Sequence, residues 1–81
     1  MKEWFVYILS CNDGTLYTGV SKDVHKRIAC HNSGKGAKYT RSRLPVNLFH
    51  SEGPMSKTDA LRRELEIKRM NRIEKMRLKE E

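Results

Sequence analysis

Cysteine and proline are scarce in this chain, aromatic residues are few, and no long apolar run is present. Two cysteines, Cys11 and Cys30, are too few for a disulfide framework; both are expected as thiols, with no disulfide-linked partner. Cys11, His25, Cys30 and His31 are zinc-ligating types, but the paired spacing of a zinc finger is missing, so buried or incidental thiols are the better reading. No apolar stretch approaches the ~20 residues that span a bilayer. The opening MKEWF lacks a signal peptide's charged, apolar and small segments. A cytoplasmic protein with no membrane partner is expected. With 37% hydrophobic and 7% aromatic residues, the 81 residues read as a single domain, 1–81, with a thin core and two layers. No repeat, linker or low-complexity stretch divides it.

Negative charge is scarce in one place. Residues 22 to 43 hold seven cations (Lys22, Lys26, Arg27, Lys35, Lys38, Arg41 and Arg43) against the single anion Asp23, most of the net charge of +7. Residues 54 to 81 mix nine cations with six anions, a surface that pairs with itself. A concentrated basic stripe favours a polyanion, because each neutralised phosphate releases counterions. The same stripe serves equally as a solubilising surface, and charge alone does not choose between them. A membrane surface is the weaker reading, since few aromatic or leucine anchors accompany the stripe.

WFVYIL (4 to 9) and LYTGV (16 to 20) are rich in β-branched and aromatic types and read as strands. Asn12-Asp13-Gly14 between them suits a three-residue hairpin loop with glycine in the left-handed position. Tyr7 then lies opposite Gly19 and Leu9 opposite Tyr17, so both phenols share one face as diagonal neighbours. A two-residue loop would send them to opposite faces. Ser21 and Asp23 start a helix over about 22 to 33, with Val24 and Ile28 on its core stripe and Arg27 and His31 beside it, reaching the rim. Residues 34 to 45 read as a glycine-rich basic loop, and VNLFHS (46 to 51) as a short third strand.

Ser56 to Asp59 has a capping-box layout, so a helix begins there. Leu61, Leu65 and Ile67 supply its apolar periodicity, while Ala60, Glu64, Ile67 and Asn71 fall along one stripe. A carboxylate on a partly apolar stripe costs free energy unless it is paired, protonated or bound to a metal. Asn71 to Glu74 repeats the capping pattern, so the helix is expected to break and restart as a short terminal one. The expected fold class is α/β (α+β): a small three-stranded sheet packed with helices in the order β-β-α-β-α, with an extra C-terminal helix.

VYIL (6 to 9), DGTLYTG (13 to 19), KRIACHNSGKGAKYTR (26 to 41) and LRRELEIK (61 to 68), in that order, resemble the GIY-YIG nuclease superfamily, and within it the small stand-alone bacterial branch. The spelling departs in places. Val6-Tyr7-Ile8 stands for Gly-Ile-Tyr, Thr18 replaces isoleucine, and Val20 stands where the repair branch carries lysine. The resemblance implies a domain that cuts phosphodiester bonds in DNA with one divalent metal, Mg²⁺ or Mn²⁺. It places Tyr7 and Tyr17 on the family's tyrosines and Arg27 on its arginine. His31 falls where the family has His or Tyr, and Glu64 on the metal-binding glutamate. Asn71 does not match the family's late asparagine in offset, and helix capping accounts for it.

The residue types suit that chemistry. Glu64 is a hard oxygen ligand for Mg²⁺ or Mn²⁺, and the ion acts as Lewis acid. Arg27 forks onto phosphate oxygens in a way lysine does not. A free tyrosine, with a pKa near ~10, is a poor base at neutral pH, but nearby cations favour the phenolate. Tyr17 is therefore assigned to water activation or positioning, with His31 the competing general base and Tyr7 orienting water or phosphate. Lys26, Lys35, Lys38, Arg41 and Arg43 are the expected DNA contacts, the DNA being branched or nicked. Two other readings stay open. One is a non-catalytic nucleic-acid-binding module on the same scaffold; the other is a protein-interaction adaptor using the terminal helix. Taken singly, the tyrosines also read as a packing pair, Arg27 and His31 as a solvated helix face, and Glu64 as the partner of Lys68.

Overall fold

In the computed structural model, which describes residues 2–80, seven elements follow one another along the chain. They are β1 (Trp4–Ser10), β2 (Leu16–Ser21), α1 (Val24–Asn32), α2 (Lys38–Arg41), β3 (Asn47–Met55), α3 (Lys57–Lys68) and α4 (Arg72–Glu80). The strands form one antiparallel sheet in the order β2-β1-β3.

The hairpin turns on the three residues expected of it. Cys11 N–H donates to the Thr15 carbonyl at 2.9 Å, and Gly14 N–H to the Cys11 carbonyl at 3.0 Å. Gly14 has φ +84°, the left-handed region where a Cβ is strained. Asp13 locks the turn by accepting from the Thr15 hydroxyl at 2.6 Å and the Thr15 N–H at 3.1 Å. Tyr7 pairs with Gly19 and Leu9 with Tyr17, so turn chemistry alone has set the register.

Four consecutive residues of β1, Val6 to Leu9, are buried. Neighbouring side chains on a strand point to opposite faces, so an unbroken buried run means that both faces are covered. On one face Val6 and Ile8 pack with Ala60 and Ile67 of α3 and Leu78 of α4. On the other, Tyr7 and Leu9 pack with Cys11 and Val46, flanked by Val24 and Ile28 of α1. The sheet is thus the middle of three layers, not one of the two expected from composition, and each core is correspondingly thin.

Side-chain caps define the helices. Asp23 accepts from Lys26 N–H at 3.0 Å to open α1, and Ser56 accepts from Asp59 N–H at 3.1 Å to open α3. Asn71 and Glu74 form a reciprocal box, at 3.1 and 2.9 Å, that restarts the chain as α4. Three details differ from the sequence reading. The basic loop contains the single turn α2, held by Thr40 N–H to the Ala37 carbonyl at 3.1 Å. β3 runs on through Gly53 and Pro54, which an edge strand tolerates because proline has no N–H to give a further ladder. Leu61 and Leu65 are exposed, and the stripe of Ala60 and Ile67 faces the sheet instead.

Candidate active site

On the α1 side of the sheet, Tyr7 and Tyr17 lie with ring centroids 6.5 Å apart and planes tilted by 45°. The Tyr7 phenol lies across β2 at Gly19, where an added Cβ would come within 2.6 Å of its oxygen. The glycine of LYTG is therefore the space the phenol occupies.

His31, on the last turn of α1, closes the group. Its Nε2 is 3.0 Å from the Tyr7 oxygen, and its Nδ1 is 2.9 Å from the Thr40 hydroxyl of α2. The imidazole meets Tyr17 edge-on, with centroids 5.3 Å apart. His31 is fully buried, not at the rim where helical spacing alone had put it. The physical reason is that α2 folds over it and supplies a polar partner for Nδ1 while Tyr7 supplies one for Nε2, so the ring enters the core with both nitrogens satisfied.

Arg27, one turn before His31, donates from Nη1 to Cys30 Sγ at 3.8 Å, and the nearby Tyr7 phenol raises the guanidinium pKa further. Burial pushes the Tyr7 pKa above its ordinary value, opposed by Arg27, with the neighbouring Tyr17 and Glu64 adding to the rise. Tyr7 is accordingly a protonated phenol in the resting protein. Burial lowers the His31 pKa, and the Arg27 charge lowers it further, which keeps the ring neutral.

Glu64 comes from α3, across the sheet, and its charge is felt at the Tyr7 phenol. Its side chain is 17% exposed and pairs with Lys68 at 3.2 Å. Among the described residues no three of His, Cys, Asp and Glu converge as a metal cage. One half-buried carboxylate fits a hard ion that keeps most of its waters and takes further oxygens from a phosphate; it does not fit a metal caged by protein alone.

Two shallow pockets open beside these groups. One, of about 300 Å³, is lined by Arg27, Lys22 and Lys26 with Ser21, Asp23 and Cys30. The other, of about 280 Å³, is lined by Tyr17, Tyr39, Lys68 and Lys75 with Leu16 and Thr18. Lys26, Lys35, Lys38 and Arg41 are exposed. Arg43 is engaged within the protein: Nε meets Asp13 at 2.9 Å, Nη1 donates to the Tyr39 carbonyl at 2.7 Å, and the guanidinium lies 3.9 Å from the Tyr39 ring centre. Tyr39 in turn stacks on Tyr17, at 6.0 Å and 25°.

Sequence reasoning did not find Thr40, Gly36 or Tyr39. Nothing local marks Thr40 or Gly36, because what they do is close over a ring on another helix. Tyr39 had a signal, a lone aromatic between cations in a polar segment.

A family model described as the GIY-YIG catalytic domain matches residues 3–77. A UPF0213 protein of Staphylococcus epidermidis is 52% identical over 81 residues, covering 100% of this chain and 99% of the relative. One from Halobacterium salinarum is 54% identical over 70 residues, covering 86% and 91%. The solution structure of the UPF0213 protein BH0048 from Bacillus halodurans is 49% identical and superposes with a TM-score of 0.59 over 93% of this chain and 80% of that one. That of EF2693 from E. faecalis is 35% identical, with a TM-score of 0.63 over 95% and 82%. In sequence over nearly its whole length, and in its β-β-α-β-α-α core arrangement, the chain belongs to the GIY-YIG family, nuclease-type domains that act on DNA and generally use divalent metal ions.

Proposed function

We propose that this protein is a divalent-metal-dependent DNA endonuclease, a nickase or structure-specific enzyme of DNA repair or processing that hydrolyses phosphodiester bonds in branched or nicked DNA. The observation that carries the reading is the grouping of Tyr17 against the hydrogen-bonded Tyr7–His31 pair, with the charges of Arg27 and Glu64 acting on the Tyr7 phenol.

Glu64, which pairs with Lys68 at 3.2 Å, would hold Mg²⁺ or Mn²⁺ by its carboxylate. When bound there, the ion would supply Lewis acidity at the phosphate and a lowered pKa for water. Arg27 lies beside a pocket with Lys22 and Lys26, and its guanidinium neutralises charge growing on the phosphate oxygens. His31 is fully buried with both ring nitrogens engaged, which supports Tyr17, half-buried and lining the second pocket, as the group that positions or deprotonates water. Tyr7, whose hydroxyl meets His31 Nε2 at 3.0 Å, serves to orient water or phosphate. Lys26, Lys35, Lys38 and Arg41 seat the flanking phosphates, and Arg43 contributes through the Tyr39 stack. Two free thiols, Cys11 and Cys30, suit a reducing cytoplasmic setting.

Conversion of supercoiled plasmid to open circles tests the reading. Wild-type protein cuts with Mg²⁺ or Mn²⁺ and not with EDTA, while Glu64→Ala and Arg27→Ala each slow cutting by about 10²-fold or more. Undiminished cutting by Arg27→Ala defeats the mechanism. Salt-sensitive DNA binding without cleavage under any metal returns the chain to a binding module.

A further inference from the structure

Three buried side chains form a line whose polarity is set at one end. The Ala37 carbonyl only accepts hydrogen bonds, and the Thr40 hydroxyl lies 2.8 Å from it. A hydroxyl has one hydrogen; donated to Ala37, as the 2.8 Å geometry assigns it, it leaves the Thr40 oxygen as an acceptor. With the hydroxyl so directed, His31 Nδ1, 2.9 Å from that oxygen, is the proton carrier of their hydrogen bond. In a neutral imidazole Nε2 is then bare, and it accepts the Tyr7 O–H at 3.0 Å. The Ala37 N–H also donates toward Nδ1 from 3.4 Å, a contact that favours a bare Nδ1, but the Thr40 oxygen at 2.9 Å is the nearer partner. Thr40 and His31 are fully buried and Tyr7 is 1% exposed, so water does not stand in for any of these partners.

We infer that Thr40 is a positioning residue of this site, holding His31 in its Nδ1–H tautomer so that the Tyr7 phenol donates to Nε2. The tautomer of a histidine is set by the hydrogen bond made at its other nitrogen, and here that bond comes from a residue nine positions away on a one-turn helix. Gly36 makes the arrangement possible, because a Cβ at that position would run into His31 Nδ1. The catalytic consequence rests on the endonuclease reading above; the tautomer does not. Thr40 touches no substrate in this scheme and acts through His31 on the orientation of the Tyr7 phenol.

Long-range ¹H–¹⁵N correlation NMR of the histidine rings reads the tautomer directly, with no substrate or metal present. The expected result is Nδ1–H for His31 in the wild-type protein and in Thr40→Ser. Loss of the Nδ1–H preference is expected in Thr40→Val, which keeps the side-chain shape and removes the hydroxyl. Tyr7→Phe keeps Nδ1–H, because Thr40 and not Tyr7 sets it. Wild-type protein with Nε2–H, or Thr40→Val with Nδ1–H unchanged, overturns the inference. Should Thr40→Val fail to fold, wild type, Thr40→Ser and Tyr7→Phe still decide it: a tautomer that switches in Tyr7→Phe refutes control by Thr40. In the nicking assay Thr40→Val lowers kcat about tenfold with KM unchanged, and Thr40→Ser restores it. A switched tautomer with an unchanged kcat overturns the positioning role. Failure of the wild-type protein to cut, beside the expected NMR pattern, removes the nuclease reading and leaves the tautomer assignment standing.

Discussion

The two faces of β1 are built from alternate residues of one strand and follow different rules. Val6 and Ile8 look toward α3 and α4 and meet Ala60, Ile67 and Leu78, a wholly apolar contact. Tyr7 looks the other way and meets His31, with Thr40 and Ala37 behind it, a line of hydrogen bonds. The apolar face gains free energy roughly in proportion to area removed from water and asks little of direction. The polar face is stable only while every donor has its acceptor, and no buried polar side-chain atom is left without a partner among the described residues. A site built this way borrows its rigidity from the apolar face, whose helix α3 also carries Glu64.

Breaking the apolar face has the largest expected effect on stability. Ile67→Ala leaves a cavity under β1 and should lower unfolding free energy by about 2–5 kcal/mol in denaturant titration, with the His31 and Tyr7 ring signals of the folded state unmoved. Gly19→Ala strikes the polar face instead. Its Cβ would meet the Tyr7 phenol, so a loss of about 1–3 kcal/mol is expected together with displaced Tyr7 and Tyr17 ring signals.

Acid sharpens the comparison further. The His31 pKa is lowered in the folded protein by burial and then by Arg27, so the unfolded chain takes up a proton first. The stability held by neutral His31 is present above the ordinary value of about 6.5 and is lost as pH falls toward the lowered one. A second loss follows at lower pH. Glu52, which fastens β3 to α3 through Arg63 at 2.8 and 3.1 Å, has its pKa lowered first by that hydrogen bonding. Its contribution is present above the ordinary glutamate range and vanishes as pH falls through the lowered value. Thermal melts over pH 7 to 3 should show both stages, and His31→Gln should remove the upper one alone.

The smallest effect concerns the basic segment. Replacing Lys35, Lys38 and Arg41 by glutamine should flatten the dependence of log DNA affinity on log salt by about 0.9 for each phosphate that is no longer neutralised. Arg43→Gln should change that slope less and disturb the Asp13 turn more, since Asp13 and Tyr39 already hold the side chain. An equal flattening from Arg43→Gln would show that its ion pair opens for DNA.

The hairpin register and the helix starts were legible because each is settled within a few residues. Gly14 and Asp13 dictate the turn, and Asp23, Ser56 and Asn71 each cap a backbone N–H three residues on. The grouping of Tyr7 with Tyr17 followed directly from that register. The second covered face of the sheet was not legible, because a run of four buried residues in a strand reads the same as a short apolar patch until its neighbours are known. Leu61 and Leu65 misled for a related reason: periodicity shows that a helix has an apolar stripe and does not say which stripe the sheet will cover.

The amino-acid sequence by itself determined the strands, the turn, the caps and the set of residue types able to handle a phosphate, since these depend on contacts close along the chain. Only the tertiary structure decided that His31 lies inside and not at the rim. It alone brought Thr40 and Gly36 around the imidazole and committed Arg43 to Asp13. Those outcomes turn on which distant donor finds which acceptor, and such pairings are fixed by the closure of separate elements in space, which no local spacing encodes.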